Sequence, residues 1–319
     1  LREIDKFAIR NSLIKAWEVS EENECFSASD SELYNKDKTV LIHTYRELTE
    51  LTVVKSVKYI YPNIMSWSET LNTLTILGDI EEIGAGAFSH CFSLTTVNNG
   101  GSIKKLADGD DISILGYVLD ASFAEGVFAF CDQFKSINLK GIEYIGFGTF
   151  TACWSLTDLT LDTTLKHVST EAFIELTSLK NLKFAGGAVL SNDGKFLCES
   201  NTLIKKEASN IKLADGKNGD VFIYYAAAQE PVHYDIPASV REFYEFAFEY
   251  TRNLKTVTIP EGVKELPGGL FMWSSITSIT IPVSVEILGI GNISKGSYWT
   301  DISPVFSGSF LESITFAVG

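Results

Sequence analysis

The sequence contains no apolar run near the ~20 residues that a membrane span needs. Its most apolar stretch, around Gly116 to Cys131, is broken by Asp120 and Glu125, so no membrane insertion of this chain is expected. No signal peptide is visible, yet the chain starts at Leu1 and not at Met. The expectation is a signal or anchor removed before Leu1. Histidine is scarce: His43, His90, His167 and His233 are scattered and fit no HExxH frame. There is no GxSxG elbow, no phosphate-binding loop, no CxxC pair and no Cys/His cluster with zinc spacing. No catalytic residue, metal ligand or cofactor is therefore expected. Five cysteines, an odd number, exclude a fully paired intrachain disulfide framework. Basic residues are in deficit, 26 against 41 acidic, for a formal net charge of −15. That field repels polyanions, which makes nucleic acid and anionic membrane poor partners.

What the chain does have is a repeat. Its 319 residues are 45% hydrophobic and 21% charged, enough for a continuous core. One frame reads Leu71-x-x-Leu74-x-Ile76, Ile80, Ile83-Gly84, Ala87-Phe88, Cys91. It returns from Phe134 to Cys153 and from Leu156 to Leu176, and later from Leu254 to Phe271. A weaker copy runs from Leu48 to Met65. The middle apolar residues of these frames are Leu51, Leu74, Val97, Ile137, Leu159, Leu182, Tyr234, Val257, Ile279 and Ile314. Their spacings are 23, 23, 40, 22, 23, 52, 23, 22 and 35. Six of the nine are 22 or 23, inside the 20–29 residues of a leucine-rich repeat.

The frame carries its own geometry. L-x-x-L-x-L alternates, so Leu159 and Leu161 point inward while Asp158 and Thr160 point out. Each coil gives one short strand, and stacked coils make one parallel sheet. The Ala-Phe segment crosses the back as a turn or short helix. Gly84 and Gly146 suit a corner that needs positive φ. A single coil cannot bury its own face, so stability comes from stacking on neighbours.

The "AF..C" frame of Ala87–Leu94 and the Ile-Pro pairs at 236–237, 259–260 and 281–282 resemble the BspA-type leucine-rich repeats. The resemblance covers about residues 48–319. It implies an α/β repeat solenoid, a right-handed superhelix of about ten coils. It also implies secretion or surface attachment in bacteria, especially gut and oral Bacteroidetes, and adhesion to host proteins or other cells.

Residues 1–47 read as an N-terminal helical cap and linker. The helix spans 2–18, with Ile4, Phe7, Ile9, Leu13, Ile14 and Trp17 on its apolar face; a partner-binding helix is the alternative. Residues 19–47 hold one strand, at 39–43. The solenoid, 48–319, departs from the frame at about 98–123, 185–233 and 290–305. The second departure contains Asn192-Asp193-Gly194 between apolar runs, a hairpin signal. The third carries Trp299.

Candidate residues follow from position. Cys91, Cys131 and Cys153 share one slot in successive coils. Other coils put Leu176 or Thr251 there, so buried free thiols are expected. Asp108, Asp110 and Asp111 supply oxygens that suit Ca²⁺, but lack the spaced ligands of an EF-hand loop; a solvated loop is the favoured reading. The outward ladder includes Thr96, Asn98, Asn138, Asp158, Thr160, Thr258 and Thr280. Small polar groups make a shallow hydrogen-bonding groove for an extended chain or glycan. At any single position the plainer reading is that Thr favours exposed strands. Phe92 and Trp154 occupy the slot after the cysteine, and Trp273 lies in the corresponding stretch of a later coil. They are binding anchors or shields of the core edge. The functional expectation is a cell-surface or secreted module recognising a protein or glycan on a host or bacterium, and not an enzyme. A structural spacer of a larger surface protein is the alternative. An enzyme acting on a polymer in the groove ranks below both.

Overall fold

The computed structural model describes residues 2–4, 9, 12–108, 126–289 and 304–318. They fall into two compact units, 1–173 and 174–319, and each is a β-solenoid.

In the first unit the L-x-x-L-x-L segments form a front layer. β4 (Glu50–Val53), β6 (Thr73–Ile76) and β8 (Thr96–Asn99) pair in parallel. So do β10 (Ser136–Leu139) and β12 (Asp158–Leu161). The register follows the repeat, Leu51 against Leu74 against Val97. Asn99 stands where other coils hold Ile76 or Leu139, and its amide donates to the Asn138 carbonyl at 3.3 Å.

A second parallel layer lies behind. It starts as an antiparallel meander of β1 (Phe26–Ser29), β2 (Glu32–Asn35) and β3 (Val40–His43). It continues in parallel through β5 (Tyr59–Ile60), β7 (Ile80–Ile83), β9 (Ile103–Leu106), β11 (Tyr144–Ile145) and β13 (His167–Val168). The expectation of one parallel sheet is thus corrected to parallel strands on two sides of the coil. The second apolar pair of each frame, such as Ile80 and Ile83, makes a strand and not only a corner.

The third side is a column of turns that also hydrogen-bonds from coil to coil. Met65 N–H donates to Ala87 at 2.8 Å, Phe88 to Val127 at 3.0 Å, Phe128 to Thr149 at 2.9 Å and Phe150 to Ala172 at 3.0 Å. Four of these turns use two left-handed residues four apart: Asn63 and Trp67, Gly86 and His90, Gly148 and Ala152, Glu171 and Glu175. Left-handed residues cannot continue a right-handed helix, so these segments are turns. Among the described residues there is no α-helix, only a short 3₁₀ turn at Ala185–Gly187. The α/β class is corrected to all-β.

The N-terminal helical cap is corrected with it. Residues 12–18 are not helical; residues 5–8, 10 and 11 of that prediction lie outside the described residues. The segment instead docks on His43, which accepts from the Trp17 indole at 3.1 Å and bonds Ser12 Oγ at 3.1 Å. A short amphipathic stretch gains helix only where a partner buries its face, and here Trp17 is satisfied edge-on against His43. The linker holds three strands where one was expected.

The glycine expectation shifts by two residues. Positive φ belongs to Gly86 and Gly148. Gly84 and Gly146 are required by close approach: a Cβ on Gly84 would lie 2.6 Å from Pro62 N, and one on Gly146 2.6 Å from Ala107 C.

In the second unit β14 (Asn181–Phe184) precedes an antiparallel run of β15 (Phe196–Glu199), β16 (Thr202–Lys205) and β17 (Asp220–Tyr225). β17 then pairs in parallel with β19 (Val240–Phe243). This meander is the departure expected at 185–233. The Asn-Asp-Gly turn is present, with Gly194 at φ 69° and Ser191 N–H donating to Phe196 at 2.9 Å. β18 (His233–Asp235), β20 (Thr256–Thr258), β22 (Ser278–Ile281) and β24 (Ser313–Phe316) form the front layer. β21 (Glu265–Leu266) pairs with β23 (Ile287–Leu288) behind. The first departure narrows, because β8 and β9 are regular; residues 109–125 lie outside the described residues. So do 290–303, with Trp299.

One phenylalanine per turn fills each core. Phe88, Phe128, Phe150 and Phe173 stack at 5.7, 6.0 and 6.3 Å in the first unit. Phe222, Phe248, Phe271 and Phe306 do so at 4.8, 5.3 and 5.6 Å in the second.

Candidate binding face

Because front strands alternate, residues two apart rise from the face as two polar columns. In the first unit Thr73 stands beside Thr96 and Thr75 beside Asn98. Asn98 reaches back to the Thr75 hydroxyl at 3.4 Å. On the next pair Ser136 stands beside Asp158 and Asn138 beside Thr160. Asp158 accepts from Thr157 at 2.6 Å. These side chains are exposed or half-buried.

In the second unit the columns deepen into a groove of about 430 Å³. Its walls include Thr256 and Thr258 of β20, Ser278 and Thr280 of β22, Thr315 of β24 and Glu261 of the following turn. Thr258 and Thr280 are in direct register, so two sequence-predicted residues come together here. His233 closes one end. Its Nδ1 lies 2.7 Å from the Thr256 hydroxyl, and its Nε2 lies 3.1 Å from Asp235 and 3.3 Å from Thr258. These contacts hold the ring between Thr256 and Thr258 of the neighbouring strand and Asp235 of its own. The hydroxyl of Thr258, then the His233 ring, hold the Asp235 carboxyl below the usual range. Sequence reading passed over His233, although it lies 23 residues before Thr256 and was available from the repeat.

The aromatic candidates lie on the turn column of each unit. Phe92 and Trp154 share the slot after the cysteine, with Asp132 between them in the coil order. Trp273 sits one slot earlier, at the left-handed position also held by Trp67, His90, Phe130 and Tyr250. In the first unit Trp67 stacks on His90 at 3.8 Å and His90 on Phe130 at 4.5 Å, with Phe92 edge-on to both Trp67 and His90. In the second unit Trp273 stacks parallel to Tyr250 at 6.4 Å, and its indole fills the space where Gly308 lacks a Cβ. Trp154 and Trp273 are half-exposed.

Of the remaining polar candidates, Asp108 is half-buried. Asp108 accepts from Tyr144 OH, from Phe147 N–H and from Ser169 Oγ at 2.9 Å. Asp110 and Asp111 lie outside the described residues. No group of three or more His, Cys, Asp or Glu among the described residues is placed to hold a metal. All five cysteines are free. Cys91, Cys131 and Cys153 donate to the carbonyls of Met65, Phe88 and Phe128 in the preceding coil, at 3.3, 3.1 and 3.0 Å. No described helix is long and apolar enough to cross a membrane.

A family model described as BspA type leucine-rich repeat region matches in six copies, over residues 38–109, 121–213 and 225–317. A leucine-rich repeat protein from Eubacterium ventriosum has a similar solved structure: TM-score 0.57, 17% identity, 92% of this chain and 70% of that one covered. The pneumococcal vaccine antigen PcpA is similar at TM-score 0.50 and 14% identity, with the same coverage. At these identities the likeness is one of fold. No curated protein matches the sequence.

Proposed function

The chain belongs to the family of BspA-type leucine-rich repeats, and on that premise we propose that it is a secreted or cell-surface binding module for an extended polar partner, a glycan or a protein segment. The observation that carries this reading is the groove on the front of the second unit. Its floor repeats hydroxyls at the strand spacing of ~4.8 Å. Its end holds a His233–Asp235 pair whose ring is fixed by Thr256 and Thr258 on rigid strands. Rigid strands pre-organise these groups, which lowers the ordering penalty of binding.

The test is an array of host extracellular-matrix proteins and glycans, probed with the purified chain and with Thr258→Lys. A lysine in the middle of the floor blocks the groove without touching the core. Binding that the substitution abolishes supports the module and its site. Binding that survives moves the site elsewhere, first to the Phe92 and Trp154 corner. A folded chain that binds nothing across the array points to a spacer.

A further inference from the structure

The turn column of the first unit brings two rows of side chains together. Backbone rungs from Trp67 to Ser89 at 2.9 Å, from His90 to Ala129 at 2.8 Å and from Phe130 to Thr151 at 2.7 Å set successive coils side by side there. One row is the stack of Trp67, His90 and Phe130. The other lies two residues further along each turn and reads Glu69, Phe92, Asp132 and Trp154, so acid and aromatic alternate from coil to coil. Phe92 stands edge-on to Trp67 and His90, at 6.0 and 5.7 Å between ring centres. Trp67 and Trp154 are 47% and 45% exposed. Aromatics of this size clustered on a surface mark a recognition site.

Asp132 supplies the chemistry. It is half-buried, and its Oδ1 is closed to solvent with no hydrogen-bond partner among the described residues. Burial raises its carboxyl from the ordinary value, and His90 opposes the rise. A carboxylate held in this way costs free energy until a cationic donor reaches its open side. Neither row contains a lysine or an arginine. The second unit shows what sets this surface apart. It too stacks aromatics on its turn column, Tyr250 and Trp273, but two residues further along each turn stand Arg252 and Ser275 in place of an acid.

We propose that this surface of the first unit is a further recognition site, for an arginine side chain of a protein partner, whose guanidinium donates to Asp132 and lies against the rings of Phe92 and Trp154. Ring faces attract cations. A guanidinium is planar, forked and weakly hydrated, so it stacks on a ring and donates to a carboxylate at the same time. An ammonium holds its water more tightly and has no flat face. The site uses residues of the first unit alone and does not rest on the groove of the second, so Thr258→Lys leaves it intact.

The experiment incorporates fluorinated tryptophan into the whole chain and follows the fluorine resonances against capped arginine, capped lysine and capped citrulline. Citrulline keeps the shape of arginine and lacks its charge. Trp154→Phe and Trp273→Phe assign the two signals that matter. The proposal expects a saturable shift of the Trp154 resonance with arginine, at a dissociation constant on the order of 1 mM, and none at Trp273. It expects lysine to bind several-fold more weakly, and citrulline at least about tenfold more weakly. Asp132→Asn, of nearly the same shape, should weaken arginine at least about tenfold, with circular dichroism as the folding control. The citrulline and lysine comparisons use the unaltered chain, so they decide even where a variant fails to fold. A Trp154 resonance that arginine leaves unmoved overturns the proposal. So does an equal shift at Trp273, which marks diffuse attraction to an acidic chain. Citrulline or lysine binding as well as arginine, or a folded Asp132→Asn that binds like the wild type, overturns it too.

Discussion

Cys91, Cys131 and Cys153 each donate a thiol hydrogen to a carbonyl one coil back, so they act as rivets between coils. Burial pushes the Cys131 and Cys153 thiols well up, and Cys198 up to about 12. Thiolate is the reactive form. In the folded chain only the half-exposed Cys25 should react with an aromatic disulfide reagent, and the other four should appear on adding denaturant; a fast second thiol in the native protein would contradict this. The packing role was legible in the sequence because the slot also accepts Leu176; the carbonyl partners were not, since they belong to the neighbouring coil. His43 makes a second residue-scale case. Burial lowers it from 6.5 to about 4, and its Nδ1 accepts from Trp17. The unfolded chain takes up a proton below 6.5 while the folded one resists until about 4. Stability present at neutral pH is therefore lost as pH falls across that window. Urea midpoints should drop between those limits in the wild type, and this part of the slope should vanish in His43→Gln.

A coil is the unit in which the elements make sense. Phe150 stacks between Phe128 and Phe173 and has no exposed surface. Truncating it to Ala removes contacts in two neighbouring coils at once, at a cost of about 3–5 kcal/mol. Chemical denaturation of Phe150→Ala checks this, with the half-buried, outward-facing Thr160→Ala as the reference. The front strands were readable because four-residue alternation with a 22- or 23-residue return is a strong pattern. Several back strands were not, because Tyr59–Ile60, Tyr144–Ile145 and His167–Val168 are two residues long and too short for any period. The cap helix failed for the converse reason. A 3.6-residue pattern over 2–18 is a real signal, but the contacts to His43 outweigh it. The candidate face was legible as a ladder through Thr258 and Thr280. That it hollows into a groove with His233 at its end depends on side-chain packing that no spacing reveals.

For the whole molecule the dominant long-range term is like-charge repulsion, with 41 acids against 26 bases. The exposed pairs Lys104–Glu81 at 2.7 Å and Lys166–Glu143 at 2.8 Å contribute little on their own. Salt weakens both effects, and the repulsion is the larger. The thermal midpoint should therefore rise from low ionic strength to ~0.15 M sodium chloride, where the screening length is about 8 Å. A falling midpoint in a scanning fluorimetry series would show that the pairs dominate. The hydrogen bonds on all three sides of a coil have a further consequence for how each unit meets force. They point along the stacking direction, from one coil to the next. Tension along that direction loads the rungs of one coil boundary at a time, so a unit pulled by its ends unzips. Each coil, such as the 23 residues from Leu51 to Leu74, would pay out about 75 Å of chain. Tension across the coils shears all the rungs together and meets far greater resistance. A solenoid of this kind is a ratchet tape in one direction and a plank in the other.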